Sequence, residues 1–117
     1  VRASMAISPA TPAEEVLPYL SMLDMVLVMT VVPGFGGQKL IPETLEKVRF
    51  LRRQIAARGP DTDIQVDGGI SAENAGLVTS AGANVIVAGS AIFGSPRPHQ
   101  VMLAMRAAAR ENPYVAE

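Results

Sequence analysis

Asp67 is the carboxylate best placed to do chemistry in this chain. It ends the apolar run Ile64-Gln65-Val66 and is followed at once by Gly68-Gly69. A carboxylate at the end of a buried strand can move a proton or hold a metal ion. The same residue before two glycines also makes an ordinary turn. Two more apolar runs end in glycine-rich corners. Residues 25–32 lead into Pro33-Gly34-Phe35-Gly36-Gly37-Gln38, and residues 85–88 lead into Gly89-Ser90. Glycines let the backbone turn with its N–H groups exposed and let a ligand come close. Three such corners predict one anion site built from several strand ends, with Gly68, Gly69, Gly89 and Ser90 as its cradle. Segment 33–38, with Phe35 set between glycines, reads as a lid that closes over a substrate and expels water. Met29 is a candidate soft wall of the pocket, although core packing is the commoner fate of a methionine. His99, the single histidine, is far in sequence from every corner and is expected at the surface.

These residues need elements to position them, and strand-like and helix-like segments alternate along the chain. Residues 3–8 read as a short strand. Thr11-Pro12-Ala13-Glu14 matches a capping box, with Thr11 as N-cap and Pro12 at the first helical position, and Val16, Leu17 and Leu20 form the apolar stripe of that helix. Residues 25–32 are apolar on both alternating faces apart from Thr30, as in a strand covered on both sides. Pro42 can open a second helix whose inner face is Leu45, Val48, Leu51 and Ile55, with Gly59-Pro60 as its stop. Residues 64–66 form the third strand. Ser71 is the expected N-cap of a third helix and Gly82 its left-handed C-terminal residue. Residues 85–88 form the fourth strand, and Ala91-Ile92-Phe93 a short helical turn. The last helix spans about residues 98–110, with Val101, Met102 and Met105 inward and Pro113 limiting it.

Four βα units with right-handed crossovers make a parallel sheet with helices outside. Two architectures fit: an open doubly wound sheet, or part of a (βα)8 barrel. In both, function sits at the C-terminal ends of the strands, where all three corners occur. In barrels, phosphate is often bound after the last two strands, at the N-terminus of a short extra helix, which fits Gly68-Gly69 and Gly89-Ser90.

Composition narrows the class further. The 117 residues are 49% hydrophobic and 18% charged with a net charge of −1, which predicts one small globular domain and no nucleic-acid or membrane partner. The basic residues Lys47, Arg49, Arg52, Arg53 and Arg58 read as the solvated face of one helix. There is no cysteine, so disulfides and thiolate metal sites are excluded. No run approaches a membrane-spanning length, and no signal peptide is visible. Val1 opens the chain without an initiator methionine, as a processed or truncated N-terminus would.

Met29-Thr30-Val31-Val32-Pro33-Gly34-Phe35-Gly36-Gly37-Gln38 closely resembles the lid-strand signature of ribulose-phosphate 3-epimerases. Val66-Asp67-Gly68-Gly69-Ile70 and Val87-Ala88-Gly89-Ser90-Ala91-Ile92-Phe93 resemble that family's last two strand-end motifs, in order and spacing. Ile41-Pro42-Glu43-Thr44-Leu45-Glu46-Lys47 is similar to its helix after the lid. The resemblance implies the C-terminal four βα units of a (βα)8 TIM barrel, a half-barrel of the ribulose-phosphate-binding type, with residues 1–117 as one partial domain. It implies an isomerase of the pentose phosphate pathway, hence of carbohydrate metabolism, that interconverts ribulose 5-phosphate and xylulose 5-phosphate at carbon 3. It makes Asp67 one of two acid/base aspartates and a metal ligand. The implied cofactor is one divalent ion: Zn, Fe, Mn, Co or Mg. Met29, Gly34, Phe35, Gly36, Gly37, Gly68, Gly69, Gly89 and Ser90 become substrate-binding residues, the last two on the phosphate itself. The opposite aspartate, two metal-binding histidines and a serine of the family lie on strands preceding this segment. Val32 and Ser8 depart from the usual polar residues at their positions.

A barrel usually needs about 250 residues, so this chain alone is expected to hold a phosphate cradle and one acid/base group. Open sheet edges at residues 3–8 and 85–88 predict a homo-oligomer or pairing with the N-terminal half. The expected partner molecule is a phosphorylated ketopentose. The expected compartment is the cytoplasm, or a plastid if a transit peptide has been removed. The other readings are a related phosphoketose epimerase or decarboxylase barrel, and an inactive truncated phosphate-binding paralogue.

Overall fold

Four strands pair in sequence order, all parallel: β1 (Ser4–Ile7), β2 (Met25–Met29), β3 (Asp63–Asp67) and β4 (Val85–Val87). The computed structural model describes residues 1–34, 37–58 and 61–116. A 3₁₀ helix (Ala13–Met22) joins β1 to β2, and α1 (Thr44–Arg58) joins β2 to β3. α2 (Ala75–Ala81) joins β3 to β4, and α3 (Ser90–Phe93) and α4 (Pro98–Glu111) follow.

Side chains alternate across a strand, and here the alternation decides what each face does. Val26, Val28, Ile64 and Val66 are fully buried and belong to one core with Val16 and Leu20 of the 3₁₀ helix, Val48, Leu51 and Ile55 of α1, and Val78 of α2. The opposite face, with Met25, Leu27, Met29, Gln65, Asp67, Val85 and Val87, is only half-buried. β2 is therefore covered on one side, not both, and its strand ends at Met29 rather than at residue 32. Helices cover only the outer face. In a closed barrel the inner face packs against strands across the barrel, and four strands in the order β1-β2-β3-β4 leave that side open.

The four strands lie within a residue or two of their expected positions, apart from the longer run after β2. α1 buries Leu45, Val48, Leu51 and Ile55 as the 3.6-residue spacing requires. Its stop signal, Gly59-Pro60, lies outside the described residues. Gly82 ends α2 with φ of 130°, and α4 matches its expected span within one residue.

Other local expectations give way to tertiary contacts. The first helix is 3₁₀, its N-cap is Pro12, and no side chain caps it. Thr11 instead turns its hydroxyl to Ser8, accepting from the Ser8 N–H at 3.3 Å. Pro18 lies inside the helix, where it has no N–H to donate and its ring would crowd an α-helical carbonyl one turn back. Ser71 does not cap α2. That helix starts at Ala75, and Asn74 accepts from the Ser71 N–H at 2.8 Å. Met102 is 48% exposed, while Met105 is buried and Val101 half-buried.

The basic stripe of α1 is not simply solvated. Lys47 donates from Nζ to the carbonyls of Ser8 (3.2 Å), Pro9 (2.5 Å) and Thr11 (2.6 Å), pinning the loop after β1 to the helix. Arg52 donates to the Gly82 carbonyl at 2.9 Å. Burial pulls the Arg52 pKa down, against an opposing pull from Asp63. Arg49 pairs with Glu46 at 2.5 Å, and Arg53 and Arg58 are exposed. β1 and β4 are the free edges of the sheet.

Candidate functional site

The parallel register sets the chemistry-bearing residues in a row. Met29 is aligned with Asp67, and Asp67 with Val87, at the C-terminal ends of β2, β3 and β4. All three face the open side of the sheet, because their neighbours Val28 and Val66 face the helices. Ser8 falls one residue past Ile7, the partner of Val28, and so extends the row towards β1.

Above this row opens a cleft of about 750 Å³. Met29, Asp67, Val87 and parts of all three glycine corners line it: Gly34 and Gly37, Gly68 and Gly69, and Gly89 and Ser90. Three segments far apart in sequence thus converge on one concavity. Phe35 and Gly36 lie outside the described residues. Val32 lines the cleft and is exposed, and His99 is exposed on the surface, away from it. Asp67 and Lys39 are the charged groups lining the cleft among the described residues.

The corner after β3 is braced from behind. The Thr30 N–H donates to the Asp67 carbonyl at 3.0 Å, and the Thr30 hydroxyl donates to the Gly68 carbonyl at 2.5 Å. The Asn74 amide donates to the Gly69 carbonyl at 2.8 Å. Glycine is required at both positions. A Cβ on Gly68 (φ 132°) would lie 2.6 Å from Val31 Cγ2, and one on Gly69 (φ 70°) would collide with the Leu40 backbone. The loop after β2 is closed at its base by Gln38, whose side-chain amide donates to the Val32 carbonyl at 2.6 Å and accepts from the Val32 N–H at 3.2 Å. Its returning limb is tied down where the Ile41 N–H donates to the Thr30 carbonyl at 2.8 Å.

The corner after β4 is bare. Gly89 is exposed, and a Cβ there would meet nothing within 4 Å. Ser90 opens α3, where the first N–H groups of a helix have no partner inside it. Gly89, Ser90 and Ala91 line the same cleft as Gly69.

Four contributors escaped the motif reading: Lys39, Ser71, Asn74 and the Thr30 hydroxyl. Lys39, Ser71 and Asn74 line the cleft, and Thr30 is fully buried behind it. Asn74 carried a readable signal, since an Asn shortly after a Gly-Gly turn commonly bonds nearby backbone. Among the described residues no group of three or more His, Cys, Asp or Glu side chains could hold a metal ion. Asp67 offers one carboxylate, so ligands from outside the described residues would have to complete any metal site at this mouth.

Comparison with known proteins bears on what such a cleft serves. Residues 1–93 match the model of the ribulose-phosphate 3 epimerase family. The chain is 49% identical over 109 residues to the cytoplasmic isoform of ribulose-phosphate 3-epimerase from Oryza sativa subsp. japonica, covering 91% of this chain and 46% of that protein. It is 43% identical over 115 residues to ribulose-phosphate 3-epimerase from Synechocystis sp., covering 98% of this chain and 50% of that protein. It is 45% identical over 105 residues to the Escherichia coli K12 enzyme of the same name, covering 90% and 47%. The chain therefore spans about half the length of these relatives. Among solved structures, 3-hexulose-6-phosphate synthase from Salmonella typhimurium superposes with a TM-score of 0.68 at 20% identity, over 95% of this chain and 50% of that one. That likeness establishes the fold, half of a TIM barrel.

Proposed function

Because this chain belongs to the ribulose-phosphate 3-epimerase family, we propose that it supplies one side of an epimerase active site: an acid/base carboxylate, the phosphate cradle and the base of a lid. The observation that carries this reading is the convergence of three glycine corners on one cleft around Asp67. The substrate class is a phosphorylated ketopentose, ribulose 5-phosphate, with xylulose 5-phosphate as product. The C3–H bond lies next to the C2 carbonyl, so its proton is acidic and its loss leaves an enediolate. Asp67 takes that proton on its carboxylate from one face. A second group, contributed from outside this chain, delivers a proton to the opposite face, so no net proton is consumed. Returning over the same groups gives the reverse reaction.

The remaining residues divide the other tasks. Met29 and Val87 flank Asp67 with apolar surface, which keeps water from the reacting carbon. Backbone N–H groups at Gly69 and at the start of α3, together with the Ser90 hydroxyl, receive the phosphate. Gly34 and Gly37, which border the cleft, belong to the base of the lid that would close over the sugar. The family uses a divalent metal, which would stabilise the enediolate charge. Among the described residues Asp67 is the carboxylate at this mouth that could hold it, and further ligands would have to come from beyond those residues. Residues 1–117 act as one partial domain, completed by a further half-barrel or by a second copy, in the cytoplasm. A decarboxylase or hexulose-phosphate barrel of the same fold is the weaker reading, because that likeness is 20% in sequence against 43–49% for the three epimerases above.

The test is a chimaera joining this chain to the remaining half of the rice relative. The chimaera should take up solvent deuterium at C3 of ribulose 5-phosphate and form xylulose 5-phosphate. Asp67→Asn should lower turnover by about 10²–10⁴-fold and leave phosphate affinity nearly unchanged. Near-normal turnover in that variant would remove Asp67 from the mechanism.

A further inference from the structure

Thr30 is a fully buried polar residue at the back of the cleft, and all of its hydrogen-bonding groups are committed. Its N–H donates to the Asp67 carbonyl, its hydroxyl to the Gly68 carbonyl, and its own carbonyl accepts from Ile41. Strand pairing explains the first of these bonds. The hydroxyl bond is different, because it reaches past the end of the ladder to a carbonyl in the glycine corner.

That bond determines where a neighbouring donor points. A trans peptide is planar, and its C=O and N–H point in opposite directions. The Gly68 carbonyl is drawn towards Thr30, so the Gly69 N–H of the same peptide unit is turned away from Thr30. Thr30 does not line the cleft, whereas Gly68 and Gly69 do. Away from Thr30 is therefore towards the cleft. The Gly69 N–H donates to no acceptor among the described residues, which leaves it for a ligand or water. With two glycines side by side, the chain's own torsional preferences would not hold this peptide in one orientation.

We propose that Thr30 is a positioning residue: its hydroxyl holds the Gly68–Gly69 peptide so that the Gly69 N–H faces the cleft as an anion donor. The inference rests on the phosphate-cradle reading above and adds to it a residue that touches no ligand. The hydroxyl carries the effect and the methyl group does not. Thr30→Ser keeps the donor. Thr30→Val keeps the shape and removes it, leaving the Gly68 carbonyl unsatisfied and the peptide free to turn.

The experiment is amide-resolved NMR of this chain with inorganic phosphate as the probe. In the wild type, phosphate should shift the amides of Gly69, Gly89 and Ser90. Thr30→Val should weaken phosphate binding by about tenfold and displace the Gly69 amide resonance even without phosphate. Thr30→Ser should bind within about twofold of wild type and keep the Gly69 resonance in place. If Thr30→Val does not give a folded spectrum, Thr30→Ala replaces it with the same expectation. Equal losses in the Ser and Val variants, or an unmoved Gly69 amide in the variant lacking the hydroxyl, would overturn the role of Thr30. Absence of any phosphate shift in the wild type would overturn the cradle reading instead, and the Gly69 resonance would still decide the role of Thr30.

Discussion

The corner after β3 and the corner after β4 look alike in sequence, since each puts glycine directly beyond a short apolar strand and each borders the same cleft. Their surroundings differ. Gly68 and Gly69 both have positive φ, and Val31 and Leu40 fill the space that side chains would need. Gly89 has a negative φ of −117° and open space around it. The first pair of glycines is therefore explained by the chain's own packing. Nothing among the described residues crowds Gly89 in the same way. Glycines in similar motifs can thus sit in different surroundings, and only the surrounding atoms tell them apart.

Substitution should separate the two corners. The largest effect on stability belongs to the braced one. Gly69→Ala forces a side chain into the left-handed region and against the Leu40 backbone, and should destabilise the fold by about 3 kcal/mol or more in a denaturant melt. A loss below about 1 kcal/mol would mean that the returning limb of the loop yields easily and that the corner is less rigid than its bonds suggest.

Gly89→Ala should leave the melt within about 0.5 kcal/mol of wild type. Its cost should appear instead as weaker phosphate binding, because the added methyl group stands where a ligand would approach the backbone. A strong loss of stability with unchanged phosphate binding would reverse the contrast between the corners.

The smallest effect is a pH dependence beside the braced corner. The Ser71 side chain and the residue's own backbone N–H hold the Glu73 carboxyl below the ordinary carboxylate range, against a slight opposing effect of burial. A depressed folded pKa means that the unfolded chain binds the proton more readily. The contribution is therefore present above the ordinary glutamate pKa and is lost as pH falls through the lowered folded value. Glu73 is fully exposed, so the effect should be small and should fade with added salt. Stability curves of wild type and Glu73→Gln, measured from pH 7 downwards, should converge at acid pH. Parallel curves over the whole range would show that the Ser71 contact contributes nothing.

Much of the fold could be read from local pattern, because strands and α1 reveal themselves by period. Leu45, Val48, Leu51 and Ile55 had one plausible face, and β3 is apolar wherever it meets the helices. What failed locally depended on distant partners. Thr11 has the residue type and spacing of an N-cap, yet its hydroxyl is taken by Ser8 and its carbonyl by Lys47. Lys47 and Arg52 look like surface charges in a helical wheel, but carbonyls 30 or more residues away draw them in. Of the candidate site, Asp67 and the glycines were visible because glycine-rich strand ends are unusual. Thr30 was not, since a threonine at a strand end is ordinary until its hydroxyl is seen to reach Gly68.

By itself, the sequence determined the order of the four βα units, the end of the sheet at which the corners gather, and the family, since periodicity and motif spacing are properties of the chain. Tertiary structure decided which glycines the fold needs, which cations are structural, and that Asp67 stands in one row with Met29 and Val87. Those outcomes depend on strand register and on backbone atoms passing within a few ångströms of each other. Such distances arise only when segments far apart in sequence are brought together.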